Sequence, residues 1–347
     1  MVKKKRLNKG QQRRVNTNQQ KRLDQTEVEW HNDQLGPAEG GRIISRYGQH
    51  ADVLGADGIT RRCHIRRNIS SLVCGDRVQW RQATNSQDGM QGVIEAVHER
   101  ETLLSRPDFY DGLKPVAANI DQIFVVSSVL PAFSTQIIDR YLVACEDIGI
   151  EPTIVLNKVD LIEQLSVEEQ THINAALDYY QAIGYSTVRV SSTTQQGLLP
   201  LVAQLPGRTS IVVGQSGVGK SSLVNEIMPQ VNAETKQVSE NSGLGQHTTT
   251  VATWYSLPDD GVLIDSPGIR EFSLWHLAAE QIEQGYKDFR PFLGLCKFRD
   301  CKHKNDPGCA LREAVEEQHI AAWRLDNFHR IMDSMNSKKP PRAIVRG

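Results

Sequence analysis

Gly214-Gln-Ser-Gly-Val-Gly-Lys220-Ser221 is the stretch that decides the fold. It fits G-x-x-x-x-G-K-[ST], follows the apolar run Thr209-Ser-Ile-Val-Val213 and precedes the helix-compatible Ser222-Leu-Val-Asn-Glu-Ile-Met228. A strand, a glycine loop and a helix in that order are the setting of a phosphate-binding loop. Gly214, Gly217 and Gly219 let the backbone wrap closely. The N–H groups of the loop, through Gln215, Ser216, Val218 and into Ser222, then face phosphate oxygens, and the helix N-terminus adds a favourable dipole. Lys220 is expected at the β- and γ-phosphates and Ser221 on Mg²⁺.

Working outward, four further motifs belong with the loop, in a rotated order. Asn157-Lys158-Val159-Asp160 and Ser191-Ser192-Thr193 precede it, whereas in an ordinary small GTPase they follow. The Asp160 carboxylate can accept hydrogen bonds from guanine N1–H and the exocyclic amine, a pair that adenine lacks, so the expected nucleotide is GTP. Asn157 is expected to brace the loops, Lys158 to lie along the base, and a backbone amide near Ser192 to meet the guanine O6. After the loop come Gly245-Gln-His-Thr-Thr-Thr250 and Asp265-Ser-Pro-Gly268. Thr249 is read as closing over Mg²⁺ and the γ-phosphate, Asp265 as supporting Mg²⁺, and the Gly268 amide as facing the γ-phosphate. Ile269 stands where many GTPases carry a glutamine that orients the attacking water, so His247 is the candidate for that role.

A chain of 347 residues suggests two or three domains, and a hydrophobic content of 39% is enough for a buried core. No apolar run is long enough for a membrane span, and Met1-Val-Lys-Lys-Lys-Arg6 does not lead into the apolar stretch of a secretory signal. A cytoplasmic, monomeric chain is the expectation. The net charge of −1 conceals an asymmetry: residues 1–23 hold nine basic residues and no acid, leaving 31 basic against 41 acidic in the remainder. Such a segment cannot bury enough apolar surface to order itself, so a disordered basic arm able to grip phosphates is expected over residues 1–35, with a solvated solubility tail as the alternative. Residues 338–347 form a second basic tail.

Between the two tails the hydrophobic period changes. Residues 36–112 read as five short alternating strands punctuated by glycine, the pattern of a small barrel, with an OB-fold or an SH3-like barrel both fitting. One strand carries Arg61, Arg62, His64, Arg66 and Arg67 on polar positions, either a phosphate-facing surface or a solvated face. Residues 113–275 alternate strands with helices, which predicts a doubly wound α/β sheet whose loops at the strand C-terminal ends bind ligand. The polar stretch from Pro229 to Gln246 is expected to order only around ligand. Residues 276–337 hold a cysteine cluster and an amphipathic helix.

That cluster, Cys296-Lys-Phe-Arg-Asp-Cys301-Lys-His303-Lys-Asn-Asp-Pro-Gly-Cys309, offers three thiolates and one imidazole within fourteen residues. Three sulfur ligands and one nitrogen suit tetrahedral Zn²⁺ and leave no open position, so one structural zinc is expected. Lys297, Arg299, Lys302 and Lys304 make the same knuckle a candidate RNA contact, and Cys63, Cys74 and Cys145 read as core thiols.

Guanine motif, phosphate loop, threonine loop and D-S-P-G, preceded by a barrel and followed by C-x4-C-x-H-x5-C, together resemble the circularly permuted RsgA (YjeQ) family over about residues 36–335. The resemblance implies a GTPase acting late in small (30S) ribosomal subunit assembly, stimulated by that subunit and binding its 16S rRNA, with an OB-fold and one zinc ion. A GTP-regulated RNA-binding module with negligible turnover, and a metabolic P-loop kinase, are the competing readings. The guanine motif disfavours the kinase.

Overall fold

The computed structural model describes residues 35–69, 71–87, 89–108, 112–228, 252–265, 274 and 276–338. Both basic tails, apart from their innermost residues, and the stretch from 229 to 251 with His247 and Thr249 lie outside the described residues, as does Gly268. Five strands, β1 (Leu35–Tyr47), β2 (His50–Gly55), β3 (Thr60–Ile65), β4 (Arg77–Gln87) and β5 (Met90–Val97), close into a barrel in the order β1-β2-β3-β5-β4. β3 pairs parallel to β5, while every other pairing in the barrel is antiparallel. This closure is that of an OB-fold and decides against the SH3-like alternative. The alternation read from sequence is the pleat itself: Ile43, Val53, Cys63, Ile65, Val78, Trp80 and Ile94 point into one core.

The outward arginines of β3, and Arg66 just beyond it, stand in ion pairs. Arg61 pairs with Asp57 at 2.6 Å, Arg62 with Asp52 at 3.0 Å, and Arg66 with Glu95 at 2.8 Å. Exposed pairs of this kind are worth at most about 1 kcal/mol, so they set side-chain direction more than stability.

A hairpin, β6 (Leu103–Asp108) and β7 (Gly112–Ala118), follows the barrel and touches it where Cys74 bridges Ala117. Its prolines, Pro107 and Pro115, argue against strands when read from sequence. The boundary expected between residues 112 and 113 falls inside β7.

The α/β sheet holds β8 (Gln122–Ser128), β9 (Glu151–Asn157), β10 (Ser186–Arg189), β11 (Thr209–Gly214), β12 (Thr253–Ser256) and β13 (Val262–Asp265), in the order β10-β9-β8-β11-β13-β12. All neighbours run parallel except the edge pair β12–β13. Alternate residues of one strand face opposite layers. Ile123 and Val125 of β8 pack toward α1 (Thr135–Ile148), while Phe124 and Val126 pack with residues of α3 (Leu198–Val202) and α4 (Lys220–Ile227). Helices on both faces make the sheet doubly wound. Local sequence sets their ends: Gly149 takes a left-handed φ of 68° to close α1, and Ser166 with Glu169 forms a capping box on α2 (Val167–Ala182).

The C-terminal helices, α5 (Ala279–Gln284), α6 (Ala310–Glu316) and α7 (Ala322–Lys338), share the core of α1 rather than building a separate one. Tyr286, Phe289 and Phe328 stack there with ring centroids 4.5 to 5.8 Å apart. Beside them lies a buried polar cluster. Arg324, 1% exposed, reaches Asp139 of α1 with one nitrogen and grips Asp288 with two others, at 2.6 and 3.0 Å. One guanidinium cannot neutralise two carboxylates. The remaining charge is spread over donors: Tyr180 and Asn327 donate to Asp139, and Tyr179 donates to Asp288. Burial pushes the Asp139 carboxyl up, and Arg324 pulls it back.

Candidate nucleotide site and metal centre

Because β8, β9, β10, β11 and β13 run parallel, their C-terminal ends open on one edge of the sheet, and the loops that leave them meet. Register brings Ser128 beside Asn157, Gly214 beside Val126, and Val212 beside Asp265. Four motifs far apart in the chain therefore converge.

In the phosphate loop, a Cβ on Gly214 would collide with the Val126 carbonyl oxygen, so only glycine lets β11 pass into the loop beside β8. Gly219 has φ +89°, and a Cβ there would collide with Asn157 Nδ2. α4 starts at Lys220 with Gly219 as its N-cap, leaving Ser221 and Ser222 exposed in the first turn. The Lys220 ammonium donates to the carbonyls of Gly214 at 2.7 Å and Gln215 at 2.6 Å, folded over the loop that it would otherwise extend beyond. Burial pushes the Asp265 carboxyl up while Lys220 draws it down.

Asn157 is fully buried and joins three loops. Its Nδ2 donates to the Val218 carbonyl at 2.9 Å, and its Oδ1 accepts from the amides of Lys158 at 2.8 Å and Ser192 at 3.3 Å. The Ser192 amide, near which the sequence leads us to expect a donor to guanine O6, is thus turned to Asn157. Lys158, at φ 62°, sends its ammonium to the Gly217 carbonyl at 2.7 Å and the Leu130 carbonyl at 2.6 Å. Ser191 Oγ accepts from the Thr193 and Thr194 amides and holds the turn after β10. Val159 is tied by its amide to Val190, which starts the turn that carries Asp160. Asp160 Oδ1 is buried and has no hydrogen-bond partner among the described residues. An orphaned carboxylate oxygen costs about 1–3 kcal/mol or more, a cost that a pair of donors from a ligand removes. That acceptor sits two residues after Lys158, whose ammonium grips the Gly217 carbonyl of the phosphate loop.

Cys296, Cys301, His303 and Cys309 offer four ligand atoms that all lie within 4.8 Å of one another. His303 Nδ1 stands 3.6 Å from Cys296 Sγ, 3.6 Å from Cys301 Sγ and 3.4 Å from Cys309 Sγ. A tetrahedral zinc with bonds of about 2.3 Å to sulfur and about 2.0–2.1 Å to nitrogen would set each S···N edge at about 3.6 Å. The four residues fit the ion. Cys309 is also the N-cap of α6; burial pushes its thiol up, but the Arg312 amide and His303 bring it below its ordinary value, while Cys301 is pushed up to about 12.

The sequence offers no signal for two partners seen here. Glu283 of α5 lies 3.4 Å from the far nitrogen of His303, as a carboxylate that orients a metal-bound imidazole does. Leu130 supplies its backbone carbonyl to Lys158, a role that leaves no side-chain signature.

A family profile described as RsgA GTPase matches residues 97–275. A relative named Small ribosomal subunit biogenesis GTPase RsgA, from Yersinia enterocolitica, is 56% identical over 342 residues and is covered to 97%, as is this chain. The protein of the same name from Pectobacterium atrosepticum is 55% identical over 340 residues, again covering 97% of each. Among solved structures, YjeQ from Thermotoga maritima superposes with a TM-score of 0.67 at 29% identity, covering 87% of this chain and 100% of that one. YloQ, described as a circularly permuted GTPase, gives 0.68 at 28% identity, covering 90% and 99%.

Proposed function

The chain belongs to the RsgA GTPase family and is a GTP-hydrolysing enzyme, and from that premise we propose that it binds the small (30S) ribosomal subunit through its 16S rRNA and acts late in that subunit's assembly. Near full-length likeness to proteins named for small subunit biogenesis supports the partner. The single observation that carries the nucleotide reading is the buried, unpartnered Asp160 oxygen in the turn whose neighbours Asn157 and Lys158 hydrogen-bond to the phosphate loop.

In this reading Asp160 accepts from the guanine edge, and Asn157 holds guanine motif and phosphate loop at fixed separation. The loop amides from Gln215 to Ser222, together with Lys220, take the phosphates. Ser221, Thr249 and Asp265 would hold Mg²⁺, which would supply neutralisation of phosphate charge when bound. His247 orients a water for attack on the γ-phosphorus; the bond to the bridging β–γ oxygen breaks, and GDP and inorganic phosphate leave. The Gly268 amide reports the presence of the γ-phosphate to the C-terminal helices that follow it. Cys296, Cys301, His303 and Cys309 hold one structural zinc.

The reading also gives the rotated order a use. The barrel enters the sheet at the N-terminal end of β8, on the edge away from the phosphate loop, whereas the chain leaves it at Asp265, so the C-terminal module is the one attached where the γ-phosphate is sensed. The protein works as a cytoplasmic monomer; no helix among the described residues is long and apolar enough to cross a membrane.

GTP hydrolysis measured with and without purified small subunits tests the proposal. Turnover should rise strongly on the subunit, and His247→Ala should retain GTP binding yet lose that rise. Equal turnover with and without subunits removes the ribosomal role; turnover of His247→Ala at the unmodified rate moves the water-orienting task to another group.

A further inference from the structure

The buried cluster around Arg324 and the Asn157–Asp160 loop are joined through the start of α1 and the loop before it. Asn327 Nδ2 of α7 donates to Thr135 Oγ1, at the first residue of α1, at 3.0 Å, and to Asp139 Oδ2, one turn on, at 2.8 Å. Tyr180 of α2 donates its one hydroxyl proton to Asp139 at 2.5 Å, with the Thr135 carbonyl 3.3 Å away. The start of α1 is therefore held from two sides. Immediately before it runs the loop from Ser128 to Ser134. The Leu130 carbonyl in that loop accepts from Ser128 Oγ at 2.8 Å and from the Lys158 ammonium, which also grips Gly217 of the phosphate loop. Ser134 and Ile138 share the wall of one recess with Gln215 and Val218.

The geometry points to Asn327 as a positioning residue for nucleotide binding: through Thr135 it fixes the loop that presents the Leu130 carbonyl to Lys158. The inference rests on the guanine-nucleotide reading of the site and deepens it. A side chain of the last helix, far from any phosphate, sets where the guanine motif stands against the phosphate loop. The physical reason is rigidity. Polar groups buried without a partner are costly, so Asn327, Thr135 and Asp139 tolerate one mutual arrangement and hold the first turn of α1 in it. Release of that turn lets the 128–134 loop drift, and Lys158 loses one of its two carbonyl anchors. A chain that binds its C-terminal helices differently then binds nucleotide differently, and by linkage the converse holds for binding affinities.

The experiment uses the full chain, with GDP titration as the probe and thermal unfolding and zinc content as parallel readouts. Arg324→Met would strand two buried carboxylates and endanger folding, so Thr135→Val and Asn327→Leu carry the test, with Thr135→Ser as the conservative control. Thr135→Val and Asn327→Leu should each weaken GDP binding by about two- to tenfold, the worth of a positioning hydrogen bond. The double variant should lose no more than Asn327→Leu alone, zinc content should hold, and Thr135→Ser should bind GDP as the unmodified chain does. GDP affinity unchanged in variants that nonetheless melt earlier assigns Asn327 a structural role only and overturns the inference. Losses that add in the double variant overturn the path through Thr135. Failure of the unmodified chain to bind GDP removes the nucleotide reading itself, and this inference with it.

Discussion

Asn157, Ser191, Gly214 and Asp265 come from the ends of four different strands and meet through sheet register, whereas Cys296, Cys301, His303 and Cys309 meet within fourteen residues of one another. The first group is held before any ligand arrives: Asn157 alone ties the phosphate loop, its own loop and the Ser192 turn together. The second group sits in a stretch from Leu293 to Cys309 with no helix or strand, and the apolar Leu295 and Phe298 point outward from it. A segment that cannot fold onto its own core needs a cross-link, and four converging ligands supply the place for one. One site is therefore a product of the fold and the other a condition of it.

The largest effect should come from removing that cross-link. Ligation by thiolates couples metal binding to folding, with apparent energies of about 10–16 kcal/mol in small zinc peptides. Cys301→Ala should accordingly lose the metal and loosen the region after Leu295, with the sheet still unfolding as one cooperative unit and GDP still bound, at most about tenfold more weakly. Elemental analysis, far-UV circular dichroism and a GDP titration check this, and collapse of the whole chain would show that the two regions are not separable in the way described.

A smaller effect is expected at Glu283. Its carboxylate backs His303, and loss of such a partner lowers metal affinity by about 10–100-fold. Glu283→Gln should release zinc to a competing chelator that much more readily. Retention equal to that of the unmodified chain means the imidazole is oriented by the knuckle alone.

On the other side of the comparison, Gly219→Ala attacks the preformed site without touching a charge. Left-handed backbone costs a residue with a Cβ about 1–2 kcal/mol, and this Cβ also meets Asn157. GDP affinity should fall by roughly tenfold. The metal content should not change. An unaffected titration would mean that Asn157 does not brace the phosphate loop.

How much of this could be read beforehand follows the same division. The phosphate loop and the cysteine knuckle are contiguous, so spacing alone carries their chemistry, and the barrel strands are legible because a half-buried strand must alternate. The β6–β7 hairpin hides behind Pro107 and Pro115. The short helices α5 and α6 owe their existence to packing, α5 on α1 and α6 on α7, and carry too few residues for a periodic signal. Arg324 and Asn327 look like the polar positions of an amphipathic helix, because Asp139, Tyr180 and Asp288, the partners that justify burying them, lie far away in sequence. The arginines in and just after β3 show what spacing leaves out: a row of positive charge in the sequence stands in ion pairs once Asp52, Asp57 and Glu95 are brought alongside.

The claim beneath all of this is that motifs in rotated chain order assemble one guanine-specific pocket, and its most exposed point is the unpartnered oxygen of Asp160. Titrating GDP and XDP into Asp160→Asn measures it directly. An amide in place of the double acceptor should move affinity away from GDP and toward XDP, whose base offers an acceptor where guanine offers a donor. Undiminished GDP affinity in that variant would contradict the account, because Asp160 would then not be reading the base.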